Sequence, residues 1–197
     1  MNDAQVKELL YQSLEVEIGG QLVYEAAIRC AQNDDLREEW EKYLDETRTH
    51  EVILRSTFDR IGLDPDVETP GRAVVRMKAE ALVRSMDMAR NEGGPDAAQL
   101  VAAECVVEAE TKDHQDWELI GRVAEKATGE MKTALKEAHE QVEEQEDQHL
   151  YHTMGWAREL WIESLGMPAV LPPPEEEKKV VTAIGAARAE QAREDML

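Results

Sequence analysis

Hydrophobic residues recur every three or four positions along most of this chain, which is the spacing of the buried face of an α-helix. The pattern covers five stretches, at about residues 3–31, 35–61, 72–90, 95–126 and 131–165. Short segments rich in Asn, Asp, Gly and Pro separate these stretches, as turns between helices do. The pattern therefore predicts an all-α protein.

We expect the four longer stretches to form an antiparallel four-helix bundle made of two helical hairpins, with residues 72–90 as an extra helix in the crossover. This bundle domain spans residues 1–168. Residues 169–197 form a second region, in which LPPPEEEKK is a stiff proline-rich linker and residues 180–197 are a short Ala-rich helix. We expect this C-terminal arm to lie on the bundle or on a neighbouring chain.

Polar residues interrupt the apolar face of the last long stretch. In the sequence VEEQEDQHLYHTMGW, Glu146 and His149 fall on the same helical stripe as Val142 and Trp156. Glu-x-x-His is the spacing with which a bundle helix offers a carboxylate and an imidazole to one metal ion. The alternative is a solvated face, because the neighbouring acidic residues are exposed in any arrangement.

The other long stretches are interrupted in the same way. Glu17 stands where the first stretch would have a leucine, and His50 lies on the apolar face of the second. Glu110 and His114 lie on the face of residues 95–126.

The interruptions fall at one level of the bundle. Residues at equal distance from the turn of an antiparallel hairpin face one another, because each residue advances a helix by about 1.5 Å. With turns near Asn33 and Thr128, Glu17 is level with the helical turn from Glu46 to His50, and Glu110 is level with the Glu-x-x-His pair. Buried carboxylates destabilise a fold unless they are paired or bound to metal. A dinuclear cation centre is the simplest compensation.

This set of residues resembles the site of the ferritin-like di-iron or di-manganese carboxylate proteins, in which two helices give a Glu and two give a Glu-x-x-His. The segments YLDETRTHEVILRSTFDRIG and DAAQLVAAECVVEAE are similar to a bacterial ferritin-like family of general-stress proteins, the YciF-like group. The resemblance covers roughly residues 3–166 and implies a ferritin-like antiparallel bundle. It also implies these metal ligands: Glu17, Glu46, His50, Glu110, Glu146 and His149.

Two positions depart from the family pattern. The residue three before His50 is Thr47, so Glu46 has to serve from four before it, one turn away. His114, four after Glu110, is a third imidazole where such sites usually have two. It has three interpretations: a metal ligand, a hydrogen-bond donor to a ligating carboxylate, or a satisfied core histidine.

Four more residues lie near these positions. Glu143 and His152 flank the Glu-x-x-His pair and are reserve ligands. Tyr24 and Trp117 lie on the same helical faces, where packing is the first interpretation and a redox role the second.

Carboxylate and imidazole ligands without a thiolate favour iron or manganese over structural zinc. We therefore expect two metal ions, with iron as the first candidate and manganese as the alternative. Adjacent metals with open positions are able to bind and reduce O2 or peroxide, or to oxidise Fe(II). The sequence has no CxxC pair, so such an enzyme would take electrons from an external donor.

The amino-acid composition excludes some classes of binding partner. The chain of 197 residues has 22 Lys and Arg against 43 Asp and Glu, a net charge of -21 at pH 7. This charge repels phosphate backbones and anionic lipid headgroups, so we expect neither nucleic acid nor membrane as a partner. No signal sequence or spanning segment is recognisable, which predicts a cytoplasmic protein. Cys30 and Cys105 lie far apart in helical patterns and are interpreted as small core residues.

Three functions remain open from the sequence. The first is a di-metal oxidoreductase of ferroxidase or peroxide-reducing type that handles iron or peroxide under oxidative stress. The second is a bundle that sequesters metal without turnover, and the third is a metal-free bundle that acts by oligomerisation or partner binding. We expect a homodimer, because residues 72–90 and the C-terminal arm leave apolar surface to cover, including Met77, Leu82, Met86 and Met88.

Overall fold

The structure, a computed structural model, describes residues 1–197 except for the side chain of Glu194. The described residues form seven α-helices and no β-strand, which confirms the all-α prediction. The five long helices are α1 (Asp3–Cys30), α2 (Asp34–Ile61), α3 (Pro70–Glu92), α4 (Gly94–Lys126) and α5 (Gly129–Ser164). The C-terminal region adds α6 (Pro174–Glu177), α7 (Ala183–Gln191) and a 3-10 helix (Arg193–Met196).

Local sequence signals set the ends of the helices. Asn2, Asn33 and Thr69 are N-caps whose side chains accept a hydrogen bond from a backbone N–H of the first turn. Gly62 ends α2 with a φ of 71°, a left-handed conformation that glycine adopts without steric cost. The short connection between the end of α1 and the start of α2 makes these two helices a hairpin.

α1, α2, α4 and α5 pack around a common core, and each runs antiparallel to its neighbours. In the α1–α2 hairpin, for example, Tyr11 contacts Phe58 and Gln21 contacts Glu51. The α4–α5, α1–α4 and α2–α5 pairs are opposed in the same way. α3 lies outside these four, parallel to α1 and antiparallel to α4, and carries the chain from the end of α2 to the start of α4.

Two hydrophobic clusters fill the bundle, and a layer of polar side chains separates them. α1 passes from Leu14 in one cluster to Val23 in the other, with Glu17 between them. α5 passes in the same way from Val142 to Trp156. The polar layer is therefore enclosed by apolar side chains on both sides, near the middle of the long helices.

The C-terminal arm lies on its own bundle, along α5. Arg158 donates two hydrogen bonds to Glu175, at 2.7 and 2.9 Å. Arg193 donates to the buried carboxylate of Glu159 at 2.8 Å. The predicted single helix over residues 180–197 is instead α7 followed by a 3-10 helix, and the proline segment ends in the short α6.

The surface of α3 is less apolar than the sequence suggested. Met86 is fully buried in a hydrophobic cluster, whereas Met77 and Met88 are exposed. Cys30 and Cys105 are buried free thiols, as expected of core residues. None of the described helices is long and apolar enough to cross a membrane.

Candidate metal centre

The polar layer brings together five of the seven predicted ligands, which we call the centre: Glu17, His50, Glu110, Glu146 and His149. Each is at most 2% exposed. Their donor atoms fall into two groups, within each of which they lie no more than 4.8 Å apart: Glu17–His50–Glu146 and Glu110–Glu146–His149. Glu146 belongs to both groups, so the centre has the layout of two adjoining cation sites that share one carboxylate.

The two imidazoles direct the same ring atom into the centre. Nδ1 of His50 lies 2.8 Å from Glu146 Oε1 and 3.8 Å from Glu17 Oε2. Nδ1 of His149 lies 3.6 Å from Glu146 Oε1 and 3.6 Å from Glu110 Oε2. Each histidine therefore faces the shared carboxylate and one further acid.

Most of these donor atoms have no hydrogen-bond partner. The buried atoms without a partner in hydrogen-bond geometry include Glu17 Oε2, Glu110 Oε2, both carboxylate oxygens of Glu146, and Nδ1 of His50 and His149, although His50 Nδ1 lies 2.8 Å from Glu146 Oε1. A buried polar atom without a partner destabilises a fold by about 1–3 kcal/mol. A metal cation between these atoms would accept their lone pairs and remove that penalty.

Outer partners fix the orientation of both imidazoles. Nε2 of His50 lies 2.7 Å from Gln145 Oε1, and Nε2 of His149 lies 2.9 Å from Glu46 Oε2. The amide nitrogen of Gln145 donates to Glu46, so its oxygen is free to accept from His50. In the neutral imidazole with its proton on Nε2, Nδ1 presents a lone pair to the centre, as a metal ligand must.

The other two predicted ligands lie outside both groups of donor atoms. Glu46 is behind His149 and contacts the ring nitrogen that points away from the centre. His114 is nearer the surface, where its Nε2 lies 2.8 Å from Asp147 Oδ1. Thr47, three residues before His50, donates its hydroxyl to the backbone of its own helix.

The reserve ligands also lie outside the centre. Glu143 is exposed and lies near His139. His152 is buried between Glu39, whose carboxylate lies 3.0 Å from its Nδ1, and the carbonyl of Val180 in the arm. His152 thus holds the arm against α5.

Asp113 is a buried acid beside the centre that the sequence reasoning missed. It is 3% exposed, and its Oδ1 has no hydrogen-bond partner. The buried face of α4 includes Glu110, Asp113 and Trp117. Asp113, the residue before His114, therefore takes the buried position that the sequence assigned to His114. The spacing of three from Glu110 to Asp113 was the available signal, because it equals the spacing of the Glu-x-x-His pair.

Burial and mutual repulsion raise the pKa values of the acids in this layer. Burial, and then the charge of Glu146, hold the pKa of Glu17 well above its usual value, although Trp117 Nε1 donates to Glu17 at 2.7 Å. Burial and the same charge of Glu146 raise the pKa of Asp113 well above its usual value. The layer is therefore short of positive charge.

Neighbouring carboxylates favour the charged form of His149, whereas they disfavour the charged forms of Glu17 and Asp113. Burial disfavours its charged form, but Glu110 and Glu46 outweigh burial and raise the pKa of His149 to about 10. A cation that binds at Nδ1 would have to displace the proton that the charged imidazole carries on this atom.

Aromatic rings close the space around the histidines. The ring centroids of Tyr43 and His149 lie 4.2 Å apart, and those of Trp117 and His50 lie 6.2 Å apart. Tyr24 lies 6.2 Å from His149 by the same measure, and burial, followed by the charge of Glu110, raises the pKa of Tyr24 well above its usual value. These rings exclude water from the two imidazoles.

The arrangement is that of a buried carboxylate and histidine cluster able to hold metal ions within an all-α bundle. Comparison of the chain with protein-family models, with curated proteins and with solved structures gave no match. The interpretation of the centre rests on its own geometry.

Proposed function

We propose that this chain is a ferritin-like protein that binds two metal ions in the centre, with iron as the first candidate and manganese as the alternative, and that it handles iron or peroxide under oxidative stress. The observation that carries the proposal is the set of buried donor atoms without hydrogen-bond partners, arranged around the shared carboxylate of Glu146. An all-α bundle has no structural need for such a layer.

The helix arrangement supports this proposal. A ferritin-like bundle joins two antiparallel hairpins by one long crossover, and here α3 occupies the connection between α2 and α4. One Glu comes from each of α1 and α4, and α5 supplies the complete Glu-x-x-His pair of Glu146 and His149. α2 supplies His50 alone.

Charge supports two divalent cations over one. The three carboxylates of the centre carry three negative charges when ionised, and Asp113 beside them adds a fourth in its ionised form, which burial disfavours. Two divalent cations balance these four charges. The donor set contains no thiolate, and such sets suit iron or manganese.

Each residue of the centre has a distinct task in this proposal. Glu17 and His50 would hold one ion, Glu110 and His149 would hold the other, and Glu146 would contribute to both sites. Bound iron or manganese would supply Lewis-acid and redox chemistry toward O2, peroxide or Fe(II). The protein binds and orients the ions and excludes water, and electrons for turnover would come from an external donor.

Metal storage without turnover is the second candidate, and Thr47 favours it. The hydroxyl of Thr47, which donates a hydrogen bond to the backbone of its own helix, stands in place of the fourth carboxylate of the family pattern. This leaves α2 with one ligand. A site with one carboxylate fewer than the redox-active family pattern can still hold metal ions without turnover.

Two measurements test the proposal in order. Elemental analysis of full-length protein purified without chelator, after growth with iron and manganese, should find about two ions per chain. A metal-free result under these conditions contradicts the proposal. Consumption of O2 or peroxide by the Fe(II)-loaded protein then separates an oxidoreductase from a storage protein.

We also propose a homodimer that forms through the outer face of α3. Val74, Met77 and Met88 are 48%, 56% and 59% exposed on this face. Light scattering at micromolar concentration should give twice the chain mass, and Met77→Lys with Met88→Lys should give the monomer. A monomeric wild type contradicts this part of the proposal alone.

A further inference from the structure

A cavity of about 240 Å³, which we call the groove, lies between α4, α5 and the start of α7. Glu146 and Trp117 form its inner wall. Glu146 is 1% exposed, and neither of its carboxylate oxygens has a hydrogen-bond partner. The groove therefore reaches from the surface to Glu146, the residue that both groups of donor atoms share.

Two pairs of histidine and carboxylate line the groove. His114 Nε2 lies 2.8 Å from Asp147 Oδ1, and His139 Nδ1 lies 3.4 Å from Glu143 Oε2. Gly121 makes room for the second pair, because a Cβ at this position would collide with the imidazole of His139. Imidazole and carboxylate are the ligand types of the centre itself, so a cation that the centre accepts finds suitable donors along the groove.

The groove differs from the neighbouring cavities in charge. Glu118 adds a further carboxylate, and none of the described residues that line the groove is Lys or Arg. Four other cavities of the described structure each contain at least one Lys or Arg. A cleft of one sign of charge concentrates ions of the opposite sign and speeds their entry.

We propose that divalent cations reach the centre through the groove and that the pair of His114 and Asp147 binds each cation in transit. This inference rests on the proposed function, because it requires a centre that takes up metal. Asp147 and Glu146 line the same groove, so a cation released by the pair meets Glu146 next. Thr182 and Ala183 of the arm, which are both exposed, also line the groove.

The first test measures the rate of metal uptake. Metal-free full-length protein is mixed with Co2+ alone, and loading is followed by absorbance and by tryptophan fluorescence. The double variant His114→Gln with Asp147→Asn should load about tenfold more slowly and release Co2+ to a chelator about tenfold more slowly. Its final metal content should equal that of the wild type, because a change of path alters both rates and leaves the equilibrium constant unchanged.

The second test uses a matched pair of surface variants. Ala183 and Ala187 are exposed on α7, and only Ala183 lines the groove. Ala183→Lys should slow Co2+ loading about tenfold, and Ala187→Lys, with the same change of charge, should load at the wild-type rate.

The outcomes separate the two proposals. Equal loading rates in all variants, with a wild type that takes up two ions, overturn the groove as the path. A lower final metal content in the double variant also overturns it, because the pair would then belong to the centre. A wild type that takes up no Co2+, Fe(II) or Mn2+ overturns the proposed function itself.

Discussion

Glu15 and Glu17 lie two residues apart in α1, and both are buried, yet their surroundings are opposite. Glu15 turns toward α3, where Arg72 Nη2 lies at 2.9 Å and Arg76 Nε at 2.6 Å from its oxygens. Glu17 turns into the bundle, where Trp117 donates its one hydrogen bond. The chain pairs the carboxylate of Glu15 with two of its own arginines and gives the carboxylate of Glu17 none.

The arm repeats the first arrangement. Glu159 is fully buried, and Arg158 and Arg193 contact it at 3.0 and 2.8 Å. Arginines therefore pair with these two buried acids at the edge of the bundle. No arginine of the described structure pairs with an acid of the centre. Glu15 and Glu159 therefore have arginine partners, and the buried acids of the centre do not.

The largest effect should come from Glu146→Gln, which removes the shared charge at nearly constant volume. We expect metal affinity to fall by more than about 100-fold, because changes in outer partners alone lower it by about 10–100-fold. Helix content should not change, and the metal-free protein should be no less stable than the wild type, since a repulsive charge is lost. Elemental analysis and circular dichroism measure both quantities.

Glu15→Gln is the matched control for this change. It should leave two ions bound and should lower stability in the presence and absence of metal. If both variants lost metal equally, the contrast between the two acids would not hold.

Arg72→Met breaks the paired region and should lower the free energy of unfolding by about 3 kcal/mol, because one partner of a buried ion pair is lost. Metal content should stay at the wild-type level. Arg48→Met, at an exposed pair with Glu25 and Asp45, should cost less than about 1 kcal/mol. Urea unfolding compares the two variants, and equal losses would contradict the prediction.

Gln145→Leu tests the support of the two imidazoles with a smaller expected effect. The change removes the acceptor for His50 and the donor to Glu46. We expect metal affinity to fall about tenfold with little loss of stability. Gln148→Leu, three residues further along α5, is the control and should retain wild-type affinity; a titration with Mn2+ distinguishes them.

The smallest expected effect is on the pH dependence of stability, through Glu176 of the C-terminal arm. Burial, and then the charge of Glu39, raise the pKa of Glu176 from 4.5 to about 8. Its protonated form is favoured by folding, so this contribution is complete below about pH 4.5 and is lost as the pH rises through about 8. Thermal midpoints in the presence of chelator should therefore fall from pH 5 to pH 9 less steeply in Glu176→Gln than in the wild type. Parallel curves would contradict the assignment.

Glu15 responds at the other end of the pH range. Burial opposes its charge, but Arg76 and Arg72 hold the pKa of Glu15 below its usual value. Its contribution is present above about pH 4.5 and is lost as the pH falls through the lowered pKa. The paired acid thus stabilises the fold at neutral pH, where the Glu176 contribution is already declining.

The sequence predicted the helices and most of the centre, because both depend on local periodicity. Glu17, His50 and Glu110 interrupt apolar faces that recur every three or four residues, and hairpin lengths place them level. A fixed helical repeat therefore identifies which residues meet inside a bundle, even when the partners are far apart in sequence.

The remaining residues depend on helix rotation and on α3. A shift of one position along α4 exchanges His114 for Asp113 on the buried face, and periodicity alone does not resolve such a shift. The ion pair of Arg72 with Glu15 spans 57 residues and requires α3 to pack parallel to α1. Local patterns carry no information about this packing.

The two histidines of the centre have different outer partners, and this makes the two halves of the centre inequivalent. The imidazole of His149 is backed by the carboxylate of Glu46, whereas His50 is backed by the neutral amide of Gln145. A carboxylate partner makes an imidazole the stronger electron donor. We therefore expect an ion held by His149 to bind more tightly than an ion held by His50.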